Sequence, residues 1–153
     1  MVTARLPVRV EPVEGEAIDS WLAAMTQAMD VSIGSIARSF GLPAVSHPLW
    51  ITWLDPGQID AIAAAAGIPA PVVEAMTLSV YDGTALKLDP TTHRLDEHFP
   101  FGAVGFSRFC PACLSESGGR WQLRWRLGWT FACVRHNALL SEKCPQLSAP
   151  VES

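Results

Sequence analysis

The chain has 153 residues, enough for one ordinary domain or two small modules, and small modules commonly need a staple beyond their own apolar core. A composition of 49% apolar and 17% charged residues, with no blocks of like charge, excludes a disordered chain. No apolar run approaches the roughly eighteen residues that a membrane-spanning helix needs.

The opening, MVTARLPVRVEPVEGE, lacks the apolar core of a signal peptide, so the expected location is intracellular, in the cytoplasm. Thiols stay reduced there, and four cysteines then point to metal rather than to disulfides. The net charge of −4 is unevenly spread: residues 1–98 carry five Lys/Arg against twelve Asp/Glu, residues 99–153 six against three. The basic back half is the better candidate for meeting a polyanion, although ordinary surface variation would look the same.

In chain order, residues 6–15 read as an extended arm, because Pro7 and Pro12 oppose helix and Gly15 permits a turn. A first helix is expected over 16–29, where Ile18, Trp21, Leu22, Met25 and Met29 recur at helical spacing. A second is expected over 32–40, with Ser32 as N-cap, Ile33, Ile36, Ala37 and Phe40 on one face, and Gly41 as the stop. The segment PAVSHPLWITWL is an irregular bridge whose Trp50 and Trp53 should pack under the helices. Asp55 and Pro56 then start a third helix as N-cap and first helical residue, with its body over 58–66 and Gly67 at its end. A short fourth helix is expected over 72–76. From Thr77 to Phe106 there is little helical period, which reads as a linker with at most a short strand over 86–88.

The third and fourth helices invite comparison with a helix-turn-helix. Taking Gly67 as the turn glycine, the buried positions fall on Ile62, Ala63, Ala66, Ile68, Val73 and Met76, all apolar, with small Ala63 at the crossing. The second helix of the pair would present Ala70, Pro71, Glu74 and Ala75, with no Arg, Lys, Asn or Gln for base edges or phosphates. A hairpin used for packing or partner contact therefore stands beside the DNA-reading alternative. The earlier turn at Gly41 fits only in its first half, since Pro43 and Pro48 interrupt the segment that should be its recognition helix.

Cys110-Pro111-Ala112-Cys113 and Cys133-Val134-Arg135-His136 form C-x2-C-x19-C-x2-H. Two paired knuckles supply the four tetrahedral ligands that zinc takes, and four protein ligands leave no open position for water or substrate, so the expected ion is structural. Such sites contribute on the order of 10–16 kcal/mol of apparent binding energy, enough to hold a small segment together. A deaminase-type catalytic zinc would need an upstream His-x-Glu, but His93 is followed by Arg94-Leu95 and His98 by Phe99-Pro100. There is no His-Glu-x-x-His either.

Between the knuckles lies RWQLRWRLGW. Trp121, Leu123, Trp125, Leu127, Trp129 and Phe131 alternate with Arg120, Gln122, Arg124, Arg126, Gly128 and Thr130, the period of a half-buried strand. Trp121/Trp125 and Arg120/Arg124 are also four apart, so a helix ending at Gly128 with a strand over 129–133 stands as the other choice. Either way the indoles should build a core beside the metal and the arginines should stay outside it. Arg120, Arg124 and Arg126, with Arg108 and Arg135, then form a candidate nucleic-acid-binding face, the alternative being a solvated face that keeps the segment soluble.

Phe109-Cys110-Pro111-x-Cys113-Leu114, Trp125-x-Leu127, Cys133-x-x-His136, Leu139-Leu140 and Cys144-Pro145 together resemble the zinc region of the TniQ family, accessory proteins of transposition. Leu6-Pro7-Val8, Glu14-Gly15-Glu16 and Ser20-Trp21-Leu22 are similar to the way those proteins begin, and the helix pairs ending in Gly41-Leu42 and Gly67-Ile68 resemble their helix-turn-helix segment. The resemblance covers nearly the whole chain. It implies a non-catalytic adaptor that connects target recognition on DNA to an AAA+ ATPase, with one structural zinc on Cys110, Cys113, Cys133 and His136. The family often carries a second metal site opening in C-P-x-C, but Leu147 follows Cys144-Pro145-Gln146, so Cys144 stands alone. Relatives commonly continue with more helices past the position of Ser153, which suits a short or truncated member.

The expectation is thus a mainly α protein: a helix-turn-helix-like module over 1–80, a linker over 81–105, a zinc-finger or zinc-ribbon-like module over 106–146 and a tail over 147–153. DNA and an AAA+ ATPase are the expected partners, a homodimer is compatible with the reading, and no membrane is involved. Two rival functions are a small zinc-containing DNA-binding transcription regulator and a protein-binding module that binds no DNA.

Overall fold

The computed structural model describes residues 5–43, 49–96, 98 and 108–142. Five α-helices, three 3-10 turns and one two-stranded hairpin make up its regular structure among these residues. No helix in the described part is long and apolar enough to cross a membrane.

Helix α1 spans Ile18–Met29 and α2 spans Ile33–Ser39. The Ser32 side chain accepts the Ser35 backbone N–H at 3.2 Å, the capping bond expected of a serine before a helix. Helix α3, Pro56–Ala66, opens on a full capping box: the Asp55 carboxylate accepts the Gln58 N–H at 2.9 Å, and the Gln58 amide oxygen accepts the Asp55 N–H at 3.0 Å. Gly67 ends α3 at φ 71°, a left-handed position open to glycine at little cost. After Pro69 comes α4, Ala70–Ala75, which begins two residues earlier than its apolar pattern suggests because prolines at both 69 and 71 suit a helix start.

These helices enclose the main core. Ile18, Trp21, Leu22 and Met25 of α1 meet Ile36 and Phe40, Trp50, Ile62, Val73 and Met76, with the Trp21 and Phe40 rings stacked at 6.3 Å. Ile62, Ile68, Val73 and Met76 are buried as the helix-pair pattern requires, and Ala63 and Ala66 pack against the same cluster. Leu6 and Val10 of the arm also pack on it, and the arm is held by the Leu6 N–H to the Ala65 carbonyl at 3.0 Å and the Trp21 Nε1–H to the Val10 carbonyl at 2.9 Å. Trp50 joins this core. Trp53 instead lies against a second cluster and stacks on His93, ring centres 3.7 Å apart.

That second cluster is where the structure departs most from the sequence-based expectation. Ala85, Leu86 and Leu88, expected within a linker, are buried together with Ala17, Leu78, Leu123 and Leu127. Isolated bridges pair Asp82 with Leu86 and Leu88 with Leu95 in place of a continuous strand. Such a segment shows no regular period, because its apolar side chains are aimed inward by turns. The remaining expected linker residues, 97 and 99–105, the tail over 147–153 and Cys144 lie outside the described residues.

Residues 120–131 form neither a strand nor an α-helix. A 3-10 turn covers Leu123–Arg126, and Leu127 and Thr130 close a further turn through a 3.2 Å backbone bond. Leu123, Trp125 and Leu127 stay buried as the alternation predicts. Beyond the turn the pattern fails: Trp129 is 50% exposed and Phe131 63%, so the expected wall of indoles ends at Trp125.

The back half is laid directly on the front. The Ala17 N–H donates to the Trp121 carbonyl at 2.9 Å and the Leu123 N–H to the Gly15 carbonyl at 2.8 Å, while Glu16 and Gln122 form an antiparallel bridge.

Candidate metal centre

Helix α5, Pro111–Glu116, starts immediately after Cys110, with proline at its first position. Cys110 and Cys113 therefore flank the first helical turn, which sets both sulfurs toward one side. The second pair comes from a hairpin. Strand β1, Ala132–Cys133, pairs antiparallel with β2, Ala138–Leu139, in the register Ala132 with Leu139 and Cys133 with Ala138. His136 sits in the connecting turn, which Asn137 closes at φ 48°. Two reciprocal backbone bonds between Phe109 and Ser141, 2.9 and 2.7 Å, tie the segment leading into α5 to the residue just past the hairpin.

The four donor atoms lie within 4.8 Å of one another. The His136 Nδ1 is 3.4 Å from the Cys110 sulfur, 3.2 Å from Cys113 and 3.5 Å from Cys133, and the Cys113 and Cys133 sulfurs are 3.6 Å apart. A tetrahedron of ordinary zinc-ligand bond lengths has edges of about 3.8 Å between sulfurs and about 3.5 Å from sulfur to nitrogen, so the set fits a single ion at its centre. Cys110 and Cys133 are buried with Phe109, Trp125 and Leu140, and Trp121 and Leu114 pack on them. The Trp121 ring meets Phe109 at 5.3 Å and Trp125 edge-on at 5.7 Å.

The electrostatics of the cluster are those of donors crowded around shared protons. Burial, then the neighbouring cysteines, push the Cys113 thiol up to about 12. At Cys133 burial also raises the pKa, but hydrogen bonds from the His136 backbone and ring and from the other thiols outweigh it and bring it down to about 6. His136 is raised to about 9, first by its bond to Glu116 and then by Cys133. The same bond lowers Glu116.

Glu116 is not among the residues that the sequence pattern singles out. Its Oε1 accepts the His136 Nε2–H at 2.8 Å, and its Oε2 accepts from the Arg135 guanidinium at 3.0 Å. The only signal is a carboxylate three residues beyond Cys113 on a helix, and that position means nothing until the hairpin is seen to face α5.

The arginines divide. Arg120 donates to both oxygens of Glu16, at 2.6 and 3.0 Å, and to the Glu11 carbonyl at 2.9 Å. Arg126 pairs with Asp19 of α1. Both guanidinium groups lie outside the apolar clusters, as expected, but each is drawn to an acid of the front half more than a hundred residues away in sequence. Arg108 pairs with Glu142 and Arg135 with Glu116 at the surface. Arg124 lines a cleft of about 400 Å³ with Arg120, Arg135, Glu14, Glu116 and Cys113.

The fold and this cluster define a mainly helical protein with a three-cysteine, one-histidine site able to hold one metal ion. Residues 7–140, most of the chain, match the TniQ family, and the chain belongs to it. Membership associates the protein with DNA transposition, in which TniQ proteins are accessory factors. A search of curated proteins finds no match.

Proposed function

We propose that this chain is a non-catalytic transposition adaptor that joins recognition of target DNA to the AAA+ ATPase of its transposition system. TniQ membership over residues 7–140 is the observation that carries the reading. The ion is Zn2+ in a structural role: three thiolates and an imidazole at tetrahedral spacing suit zinc, and four protein ligands leave no position for a substrate.

DNA contact falls to the cleft beside the metal. Arg124 and Arg135 reach phosphate from its wall, and Arg108, whose backbone N–H donates to the carbonyl of Trp125 next to Arg124, adds charge, while Arg120 and Arg126 hold the two halves together. The α3 and α4 pair turns at Gly67, but α4 is six residues long and its only charged side chain is Glu74, which favours partner contact over base reading. Trp129, Phe131, Val134 and Leu139 are exposed apolar side chains on the hairpin and the turn before it, and they supply surface for the ATPase.

The test is capture of the ATPase together with anisotropy on duplex DNA over a salt series. Capture and binding are both expected, and Arg124→Ala with Arg135→Ala should lower the slope of log affinity against log salt by about two. DNA binding without ATPase capture would favour a transcription regulator, and capture without DNA binding a protein-binding module.

A further inference from the structure

We infer that Glu116 is the positioning residue of the metal site: its carboxylate fixes which nitrogen of His136 faces the thiolates and ties the two ligand pairs together. The inference rests on the metal site proposed under the function.

The His136 ring points Nδ1 at all three sulfurs, between 3.2 and 3.5 Å, so that nitrogen must carry the free lone pair when a metal is held. The ring proton then belongs on Nε2, and Nε2 is 2.8 Å from the Glu116 Oε1, a bond that only a protonated Nε2 can donate. The second oxygen of Glu116 accepts from Arg135, one residue before His136, so the carboxylate is held by the same hairpin turn that it orients.

The arrangement also spans the ligand set. Glu116 is on α5, with Cys113, whereas Arg135 and His136 are on the turn just after Cys133. Removing the carboxylate leaves the two pairs joined by the ion, by the apolar packing around Phe109 and Trp125, and by the backbone bonds between Phe109 and Ser141, none of which orients the His136 ring. Glu116 itself is half-exposed, so replacing it does not empty the core.

The experiment uses the full chain and a chromophoric chelator competing for zinc, with circular dichroism to show that each variant is folded at saturating zinc. Glu116→Ala should bind zinc about ten- to a hundredfold more weakly than the parent, the range found when such outer partners of a metal-bound histidine are removed. Glu116→Gln should stay within a few-fold, because its amide oxygen accepts the same N–H bond. The His136 Nε2–H resonance in proton NMR should be slowed in exchange in the parent and in Glu116→Gln and lost in Glu116→Ala. Equal affinity in the parent and Glu116→Ala would overturn the positioning role and leave the metal site intact. Equal loss in the Ala and Gln variants would overturn the hydrogen-bond account. A parent chain that binds no zinc would overturn both this inference and the metal site itself.

Discussion

The Arg120 guanidinium lies against the buried carboxylate of Glu16, 104 positions earlier in the chain, and both of its bonds to that group are 3.0 Å or shorter. Glu16 also accepts from the Ser20 hydroxyl at 2.8 Å and the Val13 backbone N–H at 2.9 Å, and Ser20 in turn accepts the Trp121 N–H at 2.8 Å. This network welds the half that carries the three-cysteine, one-histidine cluster to the start of α1. Breaking one side of a buried pair strands the other charge, so Arg120→Ala should cost about 3–5 kcal/mol. Urea unfolding is the check, and Glu16→Gln combined with Arg120→Met should lose less than the two single changes added together. A cost under about 1 kcal/mol for Arg120→Ala would mean that the pair behaves as an ordinary surface contact.

Gly15 adjoins that network at φ 75°, and a side-chain carbon there would stand 2.6 Å from the Gln122 Oε1. The left-handed backbone alone costs an alanine about 1–2 kcal/mol. Gly15→Ala should therefore lower stability by at least that amount. Adding Gln122→Ala should relieve the crowding but leave the backbone penalty, and thermal unfolding of the two variants separates these contributions.

With zinc bound as proposed, loss of one of the four donors should release the cluster around them. In Cys110→Ser, or in the parent after chelation, Trp121 loses its fixed packing against Phe109 and Trp125. Near-ultraviolet circular dichroism should weaken while most far-ultraviolet signal from α1 to α4 persists. Unchanged thermal stability with metal retained would count against a stapling role.

Metal uptake should release protons, since ligation needs thiolates and a neutral imidazole. With Cys113 pushed up to about 12 and His136 to about 9, protons compete with the ion at these two positions at neutral pH. Raising the pH removes the competitor, so apparent zinc affinity should rise from pH 6 toward pH 9 and fall in acid. Chelator competition over that range measures it, and a flat profile would contradict a site built from these four ligands.

Local chemistry determined the helix starts at Ser32 and Asp55, the left-handed stop at Gly67 and the two pairs of clustered donors, since capping bonds and knuckle spacing involve residues only a few positions apart. The core faces of α1 and α3 were legible for a related reason: burial imposes the helical period on the residue types themselves. Tertiary structure decided the rest. Which arginines face inward depends on Glu16 and Asp19, whose partners lie more than a hundred residues away. Whether Leu86 belongs to a linker or a core depends on Leu123 and Leu127 arriving above it. Glu116 meets His136 of the donor cluster only because the hairpin folds back onto α5. Long-range charge pairing and the packing of irregular segments leave no period in a chain, because they are properties of which surfaces meet.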